Sequence, residues 1–365
     1  MSISNHLCDS VKPGIAKKKP SEVEEYLKPL LKYAEEAVPE DDRKRTPIFL
    51  FGTASLRALS EKDRESLLKS VRATLKKTSF NFTLEEEWAR AISGEEEGVY
   101  GWITANYMKE ILMEKNAKDK TVGFLDLGGL SLQITFVPKE SPLADSYNLI
   151  LPNNNFDIYT HSFQENGQDA TIKSLITLSA SKANATGVVP DDIPFPCYLN
   201  GYSEEFFLET DQKAHTVYGT GEYELCSEYV REFLDLNATC KIKPCSFAGI
   251  YQPKLRGDFY ATSGFYYTSH FLGIDHEEEK TPARLFRELG SEFCQKSWEN
   301  ATKEHPDISS NLLRVYCLTS SYIYNLVTEG FGFDEEKTNI FFTSEIKGTA
   351  LNWALGALLA ETFGL

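Results

Sequence analysis

No window of the 365-residue chain comes near the 18 or so apolar residues of a membrane-spanning helix. The longest apolar stretch, Trp353 to Ala360, reads as an amphipathic helix. The opening residues Met1-Ser-Ile-Ser-Asn-His-Leu-Cys-Asp9 hold no apolar core, so no secretory leader is legible. Positive charge is scarce. Lys and Arg number 38 against 54 Asp and Glu, a net charge of −16. That balance argues against nonspecific nucleic-acid binding and against anionic membrane surfaces. Six histidines occur, none paired at metal-ligand spacing, and His161 in Tyr159-Thr-His-Ser-Phe163 reads as a structural histidine. Cys-X-X-Cys, a Gly-rich loop ending in Lys-Ser/Thr and Gly-X-Ser-X-Gly are all missing. Each absence removes a common route to redox, phosphate-loop or serine-nucleophile chemistry. There is no internal repeat and no low-complexity tract.

Cysteine, by contrast, is present and clustered. Six of the seven, Cys197, Cys226, Cys240, Cys245, Cys294 and Cys317, lie in the second half, which suggests three disulfides and an oxidising compartment. Four Asn-X-Ser/Thr sequons, at Asn81, Asn184, Asn237 and Asn300, agree with a glycoprotein of the secretory pathway. The N-terminus does not. With 41% apolar residues the chain is long enough for two ordinary cores.

Apolar residues from Val23 to Val38 recur at the spacing of one helix face, with Pro29 expected to bend it. Thr46 to Phe51 reads as a short strand turning through Gly52 into a helix. A helix is expected over 61–77, opened by Ser60 with Asp63 three residues on. Leu84 to Ile92 reads as another helix, and Val99 to Leu112 as the next. Residues 138–155 read as loop and 186–215 as a long irregular connection rich in Pro, Asp and Gly. A strand at Asn339 to Thr343 and a helix from Thr349 close the chain. Strands alternating with helices give an α/β class.

The stretch Thr121 to Val137 reads as two apolar strands joined by Asp126-Leu-Gly-Gly-Leu-Ser131. One reading is an ordinary hairpin with a tight Gly-Gly turn. The other is chemical. Adjacent glycines let backbone amides converge on an anion, while Asp126 holds a divalent cation and Ser131 with Gln133 holds a water. An acidic protein acting on an anionic substrate needs such a cation. Glu95-Glu96-Glu97, between Gly94 and Gly98, is either a solvated cap or the source of a general base. Five aromatics in Phe259 to Tyr267 are either core or a platform for a nucleobase.

Together these segments resemble the apyrase, or nucleoside triphosphate diphosphohydrolase, family of ecto- and lumenal nucleotidases. Thr46-Pro-Ile-Phe-Leu-Phe-Gly-Thr-Ala-Ser-Leu-Arg57 is similar to the second of its five apyrase regions. Gly94 to Tyr107 is similar to the third, Phe124 to Gln133 to the fourth, and Asn352-Trp-Ala-Leu-Gly356 to the core of the fifth. Cys240, Cys245, Ser246-Phe-Ala-Gly249 and Gly257-Asp-Phe259 also follow the family pattern. The resemblance runs from about Val11 to the C-terminus. It implies two actin-like (ribonuclease-H-type) domains with the nucleotide in the cleft between them, the first formed by 1–93 plus 338–365 and the second by 94–337. Carried onto these positions, Glu97 is the general base, Ser131 positions the attacking water and Gln133 assists it. Gly128 and Gly129 bind phosphate through their amides, with Thr53 and Arg57 nearby. Asp126 holds Ca²⁺ or Mg²⁺, and Tyr267 stacks on the base. The family pairings imply disulfides Cys240–Cys245 and Cys294–Cys317 and leave Cys197 with Cys226. The implied activity is hydrolysis of nucleoside tri- and diphosphates at an extracellular, membrane-associated or lumenal location.

The chain departs from the family at its start. Only Met1 to Ser10 precede the point where Val11-Lys-Pro-Gly-Ile15 aligns, so the first apyrase region is expected to be absent and the first domain incomplete. Either the chain as given starts late or it is a shortened variant. The alternative function is therefore a catalytically impaired nucleotide-binding protein. Leu130 and Leu132 stand where small or hydroxyl residues are usual, and Tyr159-Thr-His-Ser-Phe continues atypically as Gln164-Glu-Asn-Gly167.

Overall fold

The computed structural model describes residues 14–77, 80–184 and 187–364. The expectations about Met1 to Ser10 lie outside them.

The first lobe is small. Leu50–Gly52 (β1) and Ala89–Ala91 (β2) pair in parallel, with Leu50 opposite Ala89. Helices Val23–Ala37 and Glu61–Leu75 cover them, burying Val23, Leu27, Leu31, Leu67, Leu68, Val71 and Leu75 in one cluster. That spacing is a single apolar helix face, so packing rather than propensity holds these helices. Ser60 opens the second helix as expected, its Oγ accepting from the Asp63 amide at 3.1 Å. The helix expected over 84–92 is not there. Glu86–Trp88 makes one 3₁₀ turn, and parallel pairing with β1 draws the next three residues into strand.

In chain order the rest contributes Gly123–Leu127 (β3), Ser131–Phe136 (β4), Ser146–Leu151 (β5), Asn154–Gln164 (β6), Asp192–Phe195 (β7), Ser203–Leu208 (β8), Lys213–Gly219 (β9), Phe259–Ser263 (β10) and Ile340–Phe342 (β11). Six of them form one mixed sheet in the order β11-β10-β3-β4-β6-β5. β3, β10 and β11 run parallel, while β4, β6 and β5 alternate antiparallel. This is the topology expected of an actin-like half. Both faces of β3 and β4 are covered, so every residue of the two strands is buried. Leu125, Leu127, Ile134 and Phe136 face the larger core, whereas Phe124 faces the helix Gly94–Met108.

Several loop expectations give way to strand. β5 and the start of β6 occupy residues expected as loop, and β7, β9 and β8 form a three-stranded sheet where an irregular connection was expected. In β8, exposed and half-buried residues alternate with no solid apolar face, so the strand period is weak. β11 also corrects the expected division at residue 338. Its pairing with Phe259–Ala261 puts it in the second lobe's sheet, not in the first lobe. The C-terminal helix is Trp353–Phe363, opened by Asn352, whose Oδ1 accepts from the Ala354 amide at 2.9 Å. It crosses Gly94–Met108 closely, because a Cβ on Gly356 would sit 1.8 Å from the Tyr100 carbonyl oxygen. The three disulfides are Cys197–Cys226, Cys240–Cys245 and Cys294–Cys317.

Candidate active site

The glutamate run begins a helix instead of preceding one. Ser93 Oγ accepts from the Glu96 amide at 3.0 Å, and Glu96 Oε2 accepts from the Ser93 amide at 2.7 Å. This reciprocal cap starts the helix at Gly94, five residues before the expected Val99, and the helix runs to Met108. It divides the three carboxylates. Glu96 is spent on the cap and on Arg90, 2.7 Å away. Glu97 points inward and is 7% exposed.

Around Glu97 the expected catalytic residues converge. Gln133 Nε2 donates to Ser131 Oγ at 2.8 Å and approaches Glu97 Oε2 at 3.4 Å. Arg57, on the helical turn Ala54–Arg57 of the first lobe, reaches across. Its Nη1 donates to Glu97 Oε2 at 3.2 Å and to the Ile92 carbonyl at 3.0 Å, and its Nη2 reaches Ser131 Oγ at 3.3 Å. Burial, then the negative charge of Asp126, push the Glu97 carboxyl up to about 7, with Arg57 pulling the other way. A carboxylate poised near neutrality in a cleft is suited to accept a proton from water. Asp126 faces Gln133 across the β3–β4 pair. It is fully buried, which pushes its carboxyl up, while a Ser263 hydrogen bond holds it down. Its Oδ1 has no hydrogen-bond partner.

Of these groups Glu97 and Ser131 border a cleft of about 680 Å³ between the lobes, lined also by Thr53 from the first and by Gly128 and Gly129 from the second. Lys17, Lys173 and Arg314 also line it. No local sequence pattern marks these three cations, because they come from distant segments. The Thr53 hydroxyl makes no capping bond to its helical turn.

The glycine turn differs from expectation in one atom. The Gly128 amide donates to the Ser131 carbonyl at 3.0 Å, closing the turn, so it is not free for phosphate. Gly129 is the exposed glycine of the turn. The loop is held from behind. Gln168 donates its amide to the Gly128 carbonyl and Asp169 to the Gly129 carbonyl, both at 2.8 Å. Gly167 permits the contact, since a Cβ there would lie 2.4 Å from the Leu130 nitrogen. Leu130 is 36% exposed at the turn tip.

The GDA1/CD39 (nucleoside phosphatase) family profile matches residues 1–363. The chain belongs to this family. A mouse protein named ectonucleoside triphosphate diphosphohydrolase 3 is 34% identical over 90% of the chain, which spans 66% of that relative's length. A probable apyrase 4 of Arabidopsis thaliana is 32% identical over 98% of the chain and 73% of its own. Among solved structures, nucleoside triphosphate hydrolases from Neospora caninum match with a TM-score of 0.67 and 16% identity, over 93% of this chain and 77% of theirs, a likeness of fold. Family membership makes the protein a nucleoside phosphatase and accounts for the α/β, actin-like build.

Tyr267 stands outside the group of residues gathered around Glu97. It lies on the helix Gly264–Phe271, is 62% exposed, and does not line the cleft beside Glu97. The rest of the aromatic cluster divides by burial. Phe259, Tyr260 and Phe265 are core, and Tyr266 lies 5.5 Å from Tyr267, ring centre to ring centre. Among the described residues no cluster of three His, Cys, Asp or Glu could hold a metal, and no helix is long and apolar enough to cross a membrane.

Proposed function

We propose that this chain hydrolyses nucleoside tri- and diphosphates by attack of a water on the terminal phosphorus, with Glu97 as the general base. The observation that carries the reading is the meeting of Glu97, Ser131 and Gln133 at one inter-lobe cleft, with the Glu97 carboxyl near 7. A water between Glu97 and Ser131 gives its proton to Glu97 as its oxygen bonds to phosphorus, while the bond from phosphorus to the bridging oxygen breaks and the nucleotide leaves one phosphate shorter, releasing inorganic phosphate. Ser131 Oγ already accepts from Gln133 Nε2 and Arg57 Nη2, which leaves its own hydroxyl hydrogen available to a water in the cleft. Arg57 can exchange Glu97 for a phosphate oxygen without leaving its anchor on the Ile92 carbonyl. The Gly129 amide and Thr53 would meet the same phosphates, and the exposed Tyr267 ring, outside that lining, would take the base of a nucleotide that extends beyond the cleft.

The unpartnered, buried Asp126 Oδ1 fits a divalent cation, Ca²⁺ or Mg²⁺, that would neutralise the phosphates. Because no cluster of three ligating side chains surrounds it among the described residues, Asp126 would hold that ion through water. Three disulfides support an extracellular or lumenal address, where the sequons can be glycosylated. The impaired-binder alternative, which rests on the expected absence of the first apyrase region, is disfavoured by the meeting of Glu97, Ser131 and Gln133.

The test is phosphate release from ATP and ADP by the purified chain, with Ca²⁺ or Mg²⁺ and then with EDTA. Release that disappears with EDTA is expected. Nucleotide-induced thermal stabilisation with no release would replace hydrolysis by binding alone.

A further inference from the structure

We propose that Ser162 and Gln164 are positioning residues for this reaction, bracing Gln133 and through it Ser131 from the neighbouring strand. The inference rests on the reading of Glu97, Ser131 and Gln133 given above. β4 and β6 each carry a Ser-X-Gln triplet, Ser131-Leu-Gln133 and Ser162-Phe-Gln164. Antiparallel pairing sets the two triplets head to tail, with Ser131 opposite Gln164 and Gln133 opposite Ser162. Within each triplet the glutamine Nε2 donates to its own serine Oγ at 2.8 Å. Between them, Gln133 Nε2 donates to Ser162 Oγ at 3.0 Å.

A primary amide has two hydrogens. Ser131 and Ser162, the two nearest acceptors, take both of them, leaving Glu97 at 3.4 Å as a secondary contact. Gln133 Oε1 is buried with no hydrogen-bond partner, so the amide plane is fixed from its nitrogen end. Removing Ser162 frees that plane to turn, and a carbonyl oxygen turned toward Glu97 would repel the carboxylate. Gln164 supports the arrangement twice. Its Nε2 holds Ser162, and its Oε1 lies 3.5 Å from Arg57 Nη2, the nitrogen that also reaches Ser131. Ser162 is buried, whereas Gln164 sits at the exposed rim of the network.

The test uses the full chain with Ser162→Ala, Gln164→Met and the double variant. Expected is a kcat loss of about tenfold for Ser162→Ala and about threefold or more for Gln164→Met, with KM within about twofold and a non-additive double variant. Selective ¹⁵N-glutamine labelling gives a readout independent of turnover. The side-chain amide signal of Gln133, identified by its loss in Gln133→Met, is expected to move in Ser162→Ala and, to a smaller extent, in Gln164→Met. Signals that stay at their parental positions in both variants, or a raised KM with unchanged kcat, would overturn the brace. A parent chain without turnover would sink the hydrolysis reading instead, and the amide signal would still decide the brace.

Discussion

Glu97 carries opposing electrostatic demands, and the site turns on their balance. Burial and Asp126 disfavour its charge, while Arg57 favours it, and the sum leaves the carboxyl at about 7 against an ordinary 4.5. The folded protein therefore keeps this proton over a pH range in which the unfolded chain has lost it. Glu97 costs no stability below pH 4.5, and its cost grows as pH rises toward 7 and is complete above it. Glu97→Gln should therefore raise stability by about 1–3 kcal/mol at pH 8.5 and leave it unchanged near pH 4. Urea titrations at the two pH values measure this, and equal effects at both would deny the raised pKa. At this scale the sequence is informative wherever a residue sits beside a glycine in a compact motif. Glu97, Ser131 and Gln133 are legible that way and the structure joins them. Ser162 and Gln164 are not, because their meaning depends on the register between two strands. The use of the Gly128 amide is hidden for a similar reason, since only the closed turn shows where its hydrogen goes.

Elements place these residues within tenths of an ångström. The Ser93–Glu96 cap fixes where the helix begins and hence that Glu97, not Glu95 or Glu96, turns inward. That signal was readable three residues apart in the sequence, yet the glutamate run between glycines obscured it. The Gly129 turn depends likewise on the helix Gln168–Ala183 behind it. Gly167 has φ −72°, which any residue adopts, so its requirement is space alone. Gly167→Ala should push the turn off its seat, lowering kcat/KM about tenfold or more while costing about 1–3 kcal/mol of stability. Steady-state kinetics beside thermal unfolding checks this, and an active variant with intact stability would mean that the turn is not held from behind. Strand content was harder to foresee than helix content. β5, β8 and β9 carry exposed residues on one face, and β2 is too short to show a period.

Across the whole molecule the cleft joins what the chain separates. Arg57 comes from the small first lobe, Glu97 from the helix between the lobes, and Ser131 from the central sheet, yet Arg57 touches both of the others. In a protein of net charge −16 the cleft lining carries both signs, Lys17, Lys173 and Arg314 beside Glu97, Asp169, Glu204 and Glu205, and Arg314 is paired with Glu204. The actin-like architecture was legible from the collinear motifs, because each falls at a strand end or helix start that the fold brings to one place. The boundary between lobes was not, since β11 returns to the second sheet from far along the chain. The central claim is that the Glu97 carboxylate primes the water, and the pH dependence of kcat/KM for ATP tests it most directly. The parent should show an acid limb near pH 7, and the residual rate of Glu97→Gln, about a hundredfold lower or more, should show none. An unchanged limb in the variant would place the base on another residue.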